Sequence, residues 1–125
     1  MGKKVKEGYK DTATEAQIQA GIVELLSWLK LPFSVTDASR VWGKDGKPRA
    51  SRVATGWPDI TGCLPSGQFM AIEVKASKGR LKPAQKETLE RLRASGAAVL
   101  VAHSLEDAVH FLYIKGLPIG YYQGG

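Results

Sequence analysis

Asp59, Glu73 and Lys75 are the residues whose types and spacing are best suited to chemistry. Asp59 follows a proline, and a single valine separates Glu73 from Lys75. Two strand-like segments carry them, Pro58 to Leu64 and Gln68 to Lys75, with Pro65-Ser66-Gly67 between. With that linker as a hairpin loop, Leu64 faces Gln68, and the same register sets Asp59 directly opposite Glu73. Their Cβ atoms then lie about 5 Å apart on one face. Alternation adds Lys75 to that face. The other face collects Ile60, Leu64, Met70, Ile72 and Val74, an apolar packing surface.

Opposed carboxylates in a half-buried sheet repel each other and are costly to desolvate. A divalent cation that prefers oxygen ligands, magnesium or manganese, offsets that cost. Beside a lysine ammonium, such a cation can polarise a phosphate and activate water, which is a way to hydrolyse a phosphodiester. The plain alternative is a surface Glu73–Lys75 pair with an unrelated Asp59. Glu-x-Lys alone is common; the register that brings in Asp59 without adjustment favours a site.

Charge points the same way. The chain has 125 residues, a net charge of +6 and 43% hydrophobic residues, which suits one basic domain with one core. Between Ala38 and Lys82 stand nine basic residues: Arg40, Lys44, Lys47, Arg49, Arg52, Lys75, Lys78, Arg80 and Lys82. Three acids, Asp45, Asp59 and Glu73, share that span, so the middle carries the whole net charge. If Asp59 and Glu73 hold a cation, one acid is left among the bases. Nucleic acid is the first polyanion to expect. Cys63 is the one cysteine, so an intrachain disulfide and a cysteine-rich zinc site are excluded. A reducing, cytoplasmic setting is expected. No run approaches the roughly 18 to 20 apolar residues of a membrane span, and the basic start lacks a signal peptide's apolar run. Gly-Lys-Ser/Thr is absent, so ATP use has no support.

The elements that must position these residues are legible in outline. Met1 to Lys10 reads as a flexible basic arm, and residues 11–125 as one domain. Thr14 with Gln17 fits a capping box, as does Thr12 with Glu15 one turn earlier, opening a helix to about Lys30. Ile18, Ile22, Leu25 and Leu29 form its buried stripe. Glu15 and Gln19 share that side; Glu24 faces water. Pro32 ends the helix. Phe33 to Thr36 reads as a strand, Arg40 to Trp42 as extended, Lys44-Asp45-Gly46-Lys47 as a turn, and Lys47 to Gly56 as a loop. After a basic loop, Pro83 opens a helix that Ser95-Gly96 stops. Ala97 to Ala102 suits a strand buried on both faces. Ser104 with Asp107 caps a last helix ending at Gly116, with Val109, Leu112 and Tyr113 inward. Leu117 to Gly125 carries no clear signal. The order predicts an α/β fold, a central mixed sheet with helices on both faces.

Gly56-Trp57-Pro58-Asp59, Glu73-Val74-Lys75 and Gln85 resemble the PD-(D/E)xK nuclease superfamily. Within it they resemble the VRR-NUC family, the virus-type replication and repair nucleases. The likeness extends to Glu15-Ala16-Gln17-Ile18-Gln19, to Ile60 through Pro65 and to Gly79-Arg80-Leu81, nearly the whole domain. It implies a restriction-endonuclease-like core of helix, three strands, helix and strand, and magnesium- or manganese-dependent DNA cleavage. Asp59, Glu73 and the Val74 carbonyl would be metal ligands, with Glu15 completing the acidic cluster. Lys75 would position or activate water, and Gln85 would orient Lys75 or the scissile phosphate. Stand-alone phage and bacterial members act as homodimers on branched DNA such as four-way (Holliday) junctions; larger eukaryotic members carry extra domains.

Other readings stay open. Flaps, nicked duplex or single strands are alternative substrates, and a module that binds branched DNA without cutting is the alternative of another class. The plain reading of Glu15 is helix capping, which is compatible with a site role, and that of Gln85 is an ordinary solvent-facing helix residue. Arg40, Lys44, Lys47, Arg49, Arg52, Lys78, Arg80 and Lys82 are expected to contact phosphates. Trp42 and Trp57 read as packing or dimer contacts before base stacking; Tyr121 and Tyr122 are ambiguous. Cys63 reads as an inert buried thiol near the site face. His103 and His110 lack a partner at ligand spacing and are assigned no metal.

Overall fold

The computed structural model describes residues 13–36, 41, 42, 44–49 and 53–120, with the backbone alone at 41, 42, 48 and 49. The expected arm at Met1 to Lys10, together with Arg40, Arg52, Tyr121 and Tyr122, lies outside the described residues.

Helix α1 spans Glu15–Trp28. Thr14 caps it: its hydroxyl accepts from Gln17 N at 3.1 Å, and Gln17 Oε1 accepts from Thr14 N at 2.9 Å. The reciprocal box satisfies two of the N–H groups that a helix start leaves unpaired. Ile18, Ile22 and Leu25 are buried as their spacing predicts. Leu26 is fully buried as well, whereas Leu29, expected on that stripe, is the half-buried C-cap. A helical stripe wide enough to meet a sheet takes in adjacent positions, and the chain has already left the helix at Leu29.

Strands β1 (Phe33–Val35), β4 (Ile60–Cys63), β5 (Phe69–Val74) and β6 (Ala98–Ala102) form a four-stranded mixed sheet in the order β1-β4-β5-β6. The first three are antiparallel; β6 runs parallel to β5 after a crossover through helix α2 (Pro83–Ala94). Helix α3 (Leu105–Ile114) follows β6. Strands β2 (Val41–Trp42) and β3 (Pro48–Arg49) pair as a separate antiparallel ribbon. The stretch expected as a loop from Lys47 thus opens with a strand. Gly46 at φ +76° and an Asp45 Oδ1 bond from Lys47 N close the turn. Strand β2 falls in the piece expected to be extended, whereas β3, two residues long, is too short to announce itself by alternation.

The sheet has two unlike faces. Ile60, Leu64, Met70, Ile72, Val74, Ala98 and Ala102 join Ile18, Ile22, Leu25, Leu26, Ala108 and Leu112 in one apolar core under α1 and α3. Ala71, Glu73 and the α2 residue Leu89 are buried outside that core. Helices therefore cover both faces, as predicted. Two details differ. Strand β6 lies at the edge of this sheet, with Val99 to Val101 half-buried. Tyr113 is 67% exposed, because Ala108 and Leu112, four apart, define the inward stripe of α3 and Tyr113 is turned a further 100°. Leu117 and Ile119 extend the core beyond α3. Among the described residues no helix is long and apolar enough to cross a membrane.

Candidate active site

The β4–β5 hairpin has the register that sorts its residues by polarity. Ile60 pairs with Ile72, Gly62 with Met70 and Cys63 with Phe69, and Leu64 N donates to Gln68 O at 2.9 Å. Asp59, one residue before β4, is carried by that register to Glu73. Ladder pairing gives way there to a side-chain bond: Asp59 Oδ2 accepts from Val74 N at 2.7 Å. Strand β1 holds the segment from the other side. Thr36 N donates to Asp59 O at 2.8 Å, and Thr36 Oγ1 donates to Pro58 O at 2.6 Å. The Asp59 carboxylate is thus fixed by both neighbouring strands.

Glu73 is 1% exposed and Lys75 7% exposed, the two buried charged residues among those described. Burial pushes the Glu73 carboxyl up to about 9, helped by its hydrogen bond to Asp59 and the Asp59 charge. Lys75 opposes the shift, and the Glu15 charge adds to it. At neutral pH Glu73 therefore holds a proton and donates it toward Asp59. Its other oxygen, Oε2, is buried without a hydrogen-bond partner. An orphaned buried carboxyl oxygen is costly, and here it belongs to a pair of carboxyls sharing a proton. A hard cation in place of that proton would satisfy Oε2 and offset the repulsion. The donor set fits such an ion.

The described residues contain no group of three or more His, Cys, Asp or Glu side chains able to hold a metal. The side chains here that would hold such an ion are Asp59 and Glu73, and the Val74 carbonyl and solvent would fill the rest of a shell, since magnesium keeps several waters. Glu15, on the exposed first turn of α1, reaches Glu73 by its charge. Lys75 is tied to β6 by its own N–H, which donates to Ala102 O at 2.9 Å.

Gly56 locks α2 against this loop. At φ +79° it adopts a conformation that side chains rarely take, and a Cβ there would collide with the Ala84 carbonyl and lie 2.9 Å from Gln85 N. The start of α2 is thereby pressed onto the Gly56-Trp57-Pro58-Asp59 segment. Gln85 sits in that first turn, where its Oε1 accepts from Lys82 N at 2.8 Å. The hydrogen bond the structure gives Gln85 is thus a helix cap. Trp57 is half-buried and meets Phe69 with ring centroids 6.3 Å apart, a packing role as expected. Cys63 is half-buried and donates to Leu64 O at 3.4 Å.

The cations divide by place. Lys78, Arg80 and Lys82 are exposed on the loop between Lys75 and α2, and Lys44 and Lys47 on the ribbon turn. Sequence reasoning gives Thr36 no role and considers His103 only to assign it no metal. Thr36 holds the Pro58–Asp59 backbone, and His103 Nδ1 lies 3.0 Å from Ala76 O. The signal for both was strand order, which local spacing does not reveal.

The VRR-NUC domain family model matches residues 15–106. The chain belongs to the VRR-NUC family. As a VRR-NUC member it carries a nuclease-type domain. Two solved structures share its fold. One, a VRR_NUC domain, is 24% identical, with TM-score 0.59 over 88% of this chain and 100% of that one. The other, a VRR_NUC domain protein, is 24% identical, with TM-score 0.53 over 82% and 89%. These likenesses fit a restriction-endonuclease-like fold. No curated protein matches the chain. Glu15, Asp59, Glu73, Lys75 and Gln85 all lie within the VRR-NUC match, Glu15 as its first residue.

Proposed function

We propose that this VRR-NUC chain is a magnesium- or manganese-dependent, structure-selective DNA endonuclease that acts on branched DNA such as four-way junctions. The observation that carries the reading is the buried Glu73 carboxyl, hydrogen-bonded to Asp59 with Oε2 unpartnered, on the face that holds Lys75.

Asp59, Glu73 and the Val74 carbonyl hold the cation, and Glu15 adds negative charge from α1. When bound, the ion supplies the concentrated positive charge that polarises a phosphate and makes water a better nucleophile. Val74 N–H keeps the Asp59 carboxylate aimed. The Lys75 ammonium orients the attacking water and offsets charge developing on the phosphoryl oxygens. Gln85, with its oxygen used in the cap, offers its amide N–H groups to the scissile phosphate. Lys78, Arg80 and Lys82, with the ribbon cations, contact flanking phosphates. A two-fold homodimer suits paired incisions across a two-fold junction.

Labelled duplex, flap and four-way junction, incubated with magnesium, manganese or chelator, test this. Cleavage should need the metal and favour the junction, and Asp59→Ala should abolish it while leaving DNA binding largely intact. Cleavage that survives both chelator and Asp59→Ala overturns the mechanism. Binding without cutting in either metal leaves a recognition module instead.

A further inference from the structure

His103 stands outside the nuclease motifs, yet the sheet delivers it to the same place. Strand β6 pairs with β5 so that Glu73 meets Val101 and Val74 meets Ala102. Lys75 N then donates to Ala102 O at 2.9 Å. One further step sets His103 beside Lys75. The imidazole reaches across the strands, and Nδ1 lies 3.0 Å from Ala76 O. A carbonyl oxygen only accepts, so Nδ1 carries the proton. Ala76 O also accepts from Gly79 N at 2.8 Å, which closes the turn after Lys75. The histidine is itself clamped: His103 N donates to Asp107 Oδ2 at 2.9 Å, and Asp107 N donates to Ser104 Oγ at 3.1 Å at the start of α3.

We infer that His103 is a positioning residue of this site. Its Nδ1–H holds the Ala76 carbonyl, and through it the Val74–Ala76 backbone from which the Val74 carbonyl and the Lys75 ammonium project. The edge of a sheet is where such a clamp is needed. Past Val74 the ladder ends, and the loop that follows is exposed at Ser77 and Lys78. Ligand-bearing backbone in an exposed loop drifts unless a partner fixes it, and displacement of about 1 Å can cost roughly 100-fold in rate. The helix α3 cap supplies the fixed point.

The consequence for activity rests on the nuclease reading; the clamp does not. His103→Ala, His103→Asn and His103→Gln separate the roles, because the Asn amide nitrogen can replace Nδ1 and the Gln amide reaches the Nε2 position. On whichever labelled junction, flap or duplex the wild type cuts fastest with Mn²⁺, His103→Ala should lower kcat about 10- to 100-fold with KM nearly unchanged, the range for loss of an outer-sphere partner. His103→Asn should recover most of that loss and His103→Gln little. Independently of activity, long-range ¹⁵N spectra should place the ring proton on Nδ1. Amide exchange at Gly79 should quicken in His103→Ala and stay slow in His103→Asn. A kcat unmoved in His103→Ala, an Asn variant as impaired as the Ala variant, or a ring proton on Nε2 overturns the assignment. If the wild type cuts none of these DNAs, the nuclease reading fails, and unchanged Gly79 exchange in His103→Ala is then what sinks the clamp. If His103→Ala does not fold, the Asn–Gln contrast decides.

Discussion

The two faces of strand β5 answer to different demands. Ile72 and Val74 point into the core beneath α1 and α3, whereas Glu73 and Lys75, their immediate neighbours, point to the other side. All four are buried. On the first face burial removes apolar surface from water and stabilises the fold. On the second it raises the energy of a carboxylate and leaves Glu73 Oε2 without a partner. One strand thus carries the stability of the sheet and the strain of the site on alternate residues. The period of two keeps the opposed demands 180° apart, so neither compromises the other.

That contrast breaks most visibly by substitution on each face. Glu73→Gln should reduce metal-dependent cleavage by roughly 10³-fold or more, as expected when several kcal/mol of charge stabilisation are lost. Its melting temperature should not fall, since a neutral amide replaces a carboxyl that is already protonated; circular dichroism checks this. Ile72→Ala should do the reverse. The fold should lose about 2–5 kcal/mol in urea titration, and the variant molecules that remain folded should cut normally. A stable Ile72→Ala, or a Glu73→Gln that melts early, would refute the division of labour.

The Glu73 proton sharpens it further. A carboxyl whose folded-state value is raised from 4.5 to about 9 holds its proton in the native chain while the unfolded chain has released it. Its contribution is complete below the unfolded value and is lost as pH rises toward 9. Metal-free stability should therefore decline between about pH 5 and pH 9, and Glu73→Gln should flatten that decline. For the same reason Mn²⁺ should bind more tightly as pH rises through this window, with proton release measurable by calorimetry in buffers of different ionisation heat. A pH-independent affinity would contradict the shared proton.

The smallest effect belongs to the surface. Removing Lys78, Arg80 or Lys82 singly should weaken DNA binding modestly and lower the salt slope by about one for each lost phosphate contact. Anisotropy titrations across salt concentrations give that slope, and an unchanged slope would take the residue off the DNA path.

Much of this was legible before any coordinates. The Thr14–Gln17 box, the helix stops at Gly96 and Gly116 and the hairpin register that pairs Ile60 with Ile72 all appear as expected. Each depends on residues a few positions apart or on one turn and a period of two, so near neighbours suffice to specify it. Tyr113 faces out and Leu29 packs against the core only in part, because helical spacing gives an apolar stripe but not its width or the point where packing stops. The extended piece at Arg40 to Trp42 and the turn after it match β2 and the ribbon turn, whereas β3 falls in the stretch read as a loop, because two residues are too few to show alternation.

The sequence alone determined which groups could do chemistry and which strand would carry them. Only the tertiary structure decided how deeply Glu73 is buried, that Thr36 from β1 secures Asp59, and that His103 meets Ala76 across a separation of 27 residues. Burial and strand order are properties of the whole packed sheet: a residue's environment is set by what else folds against it, and no local spacing encodes that.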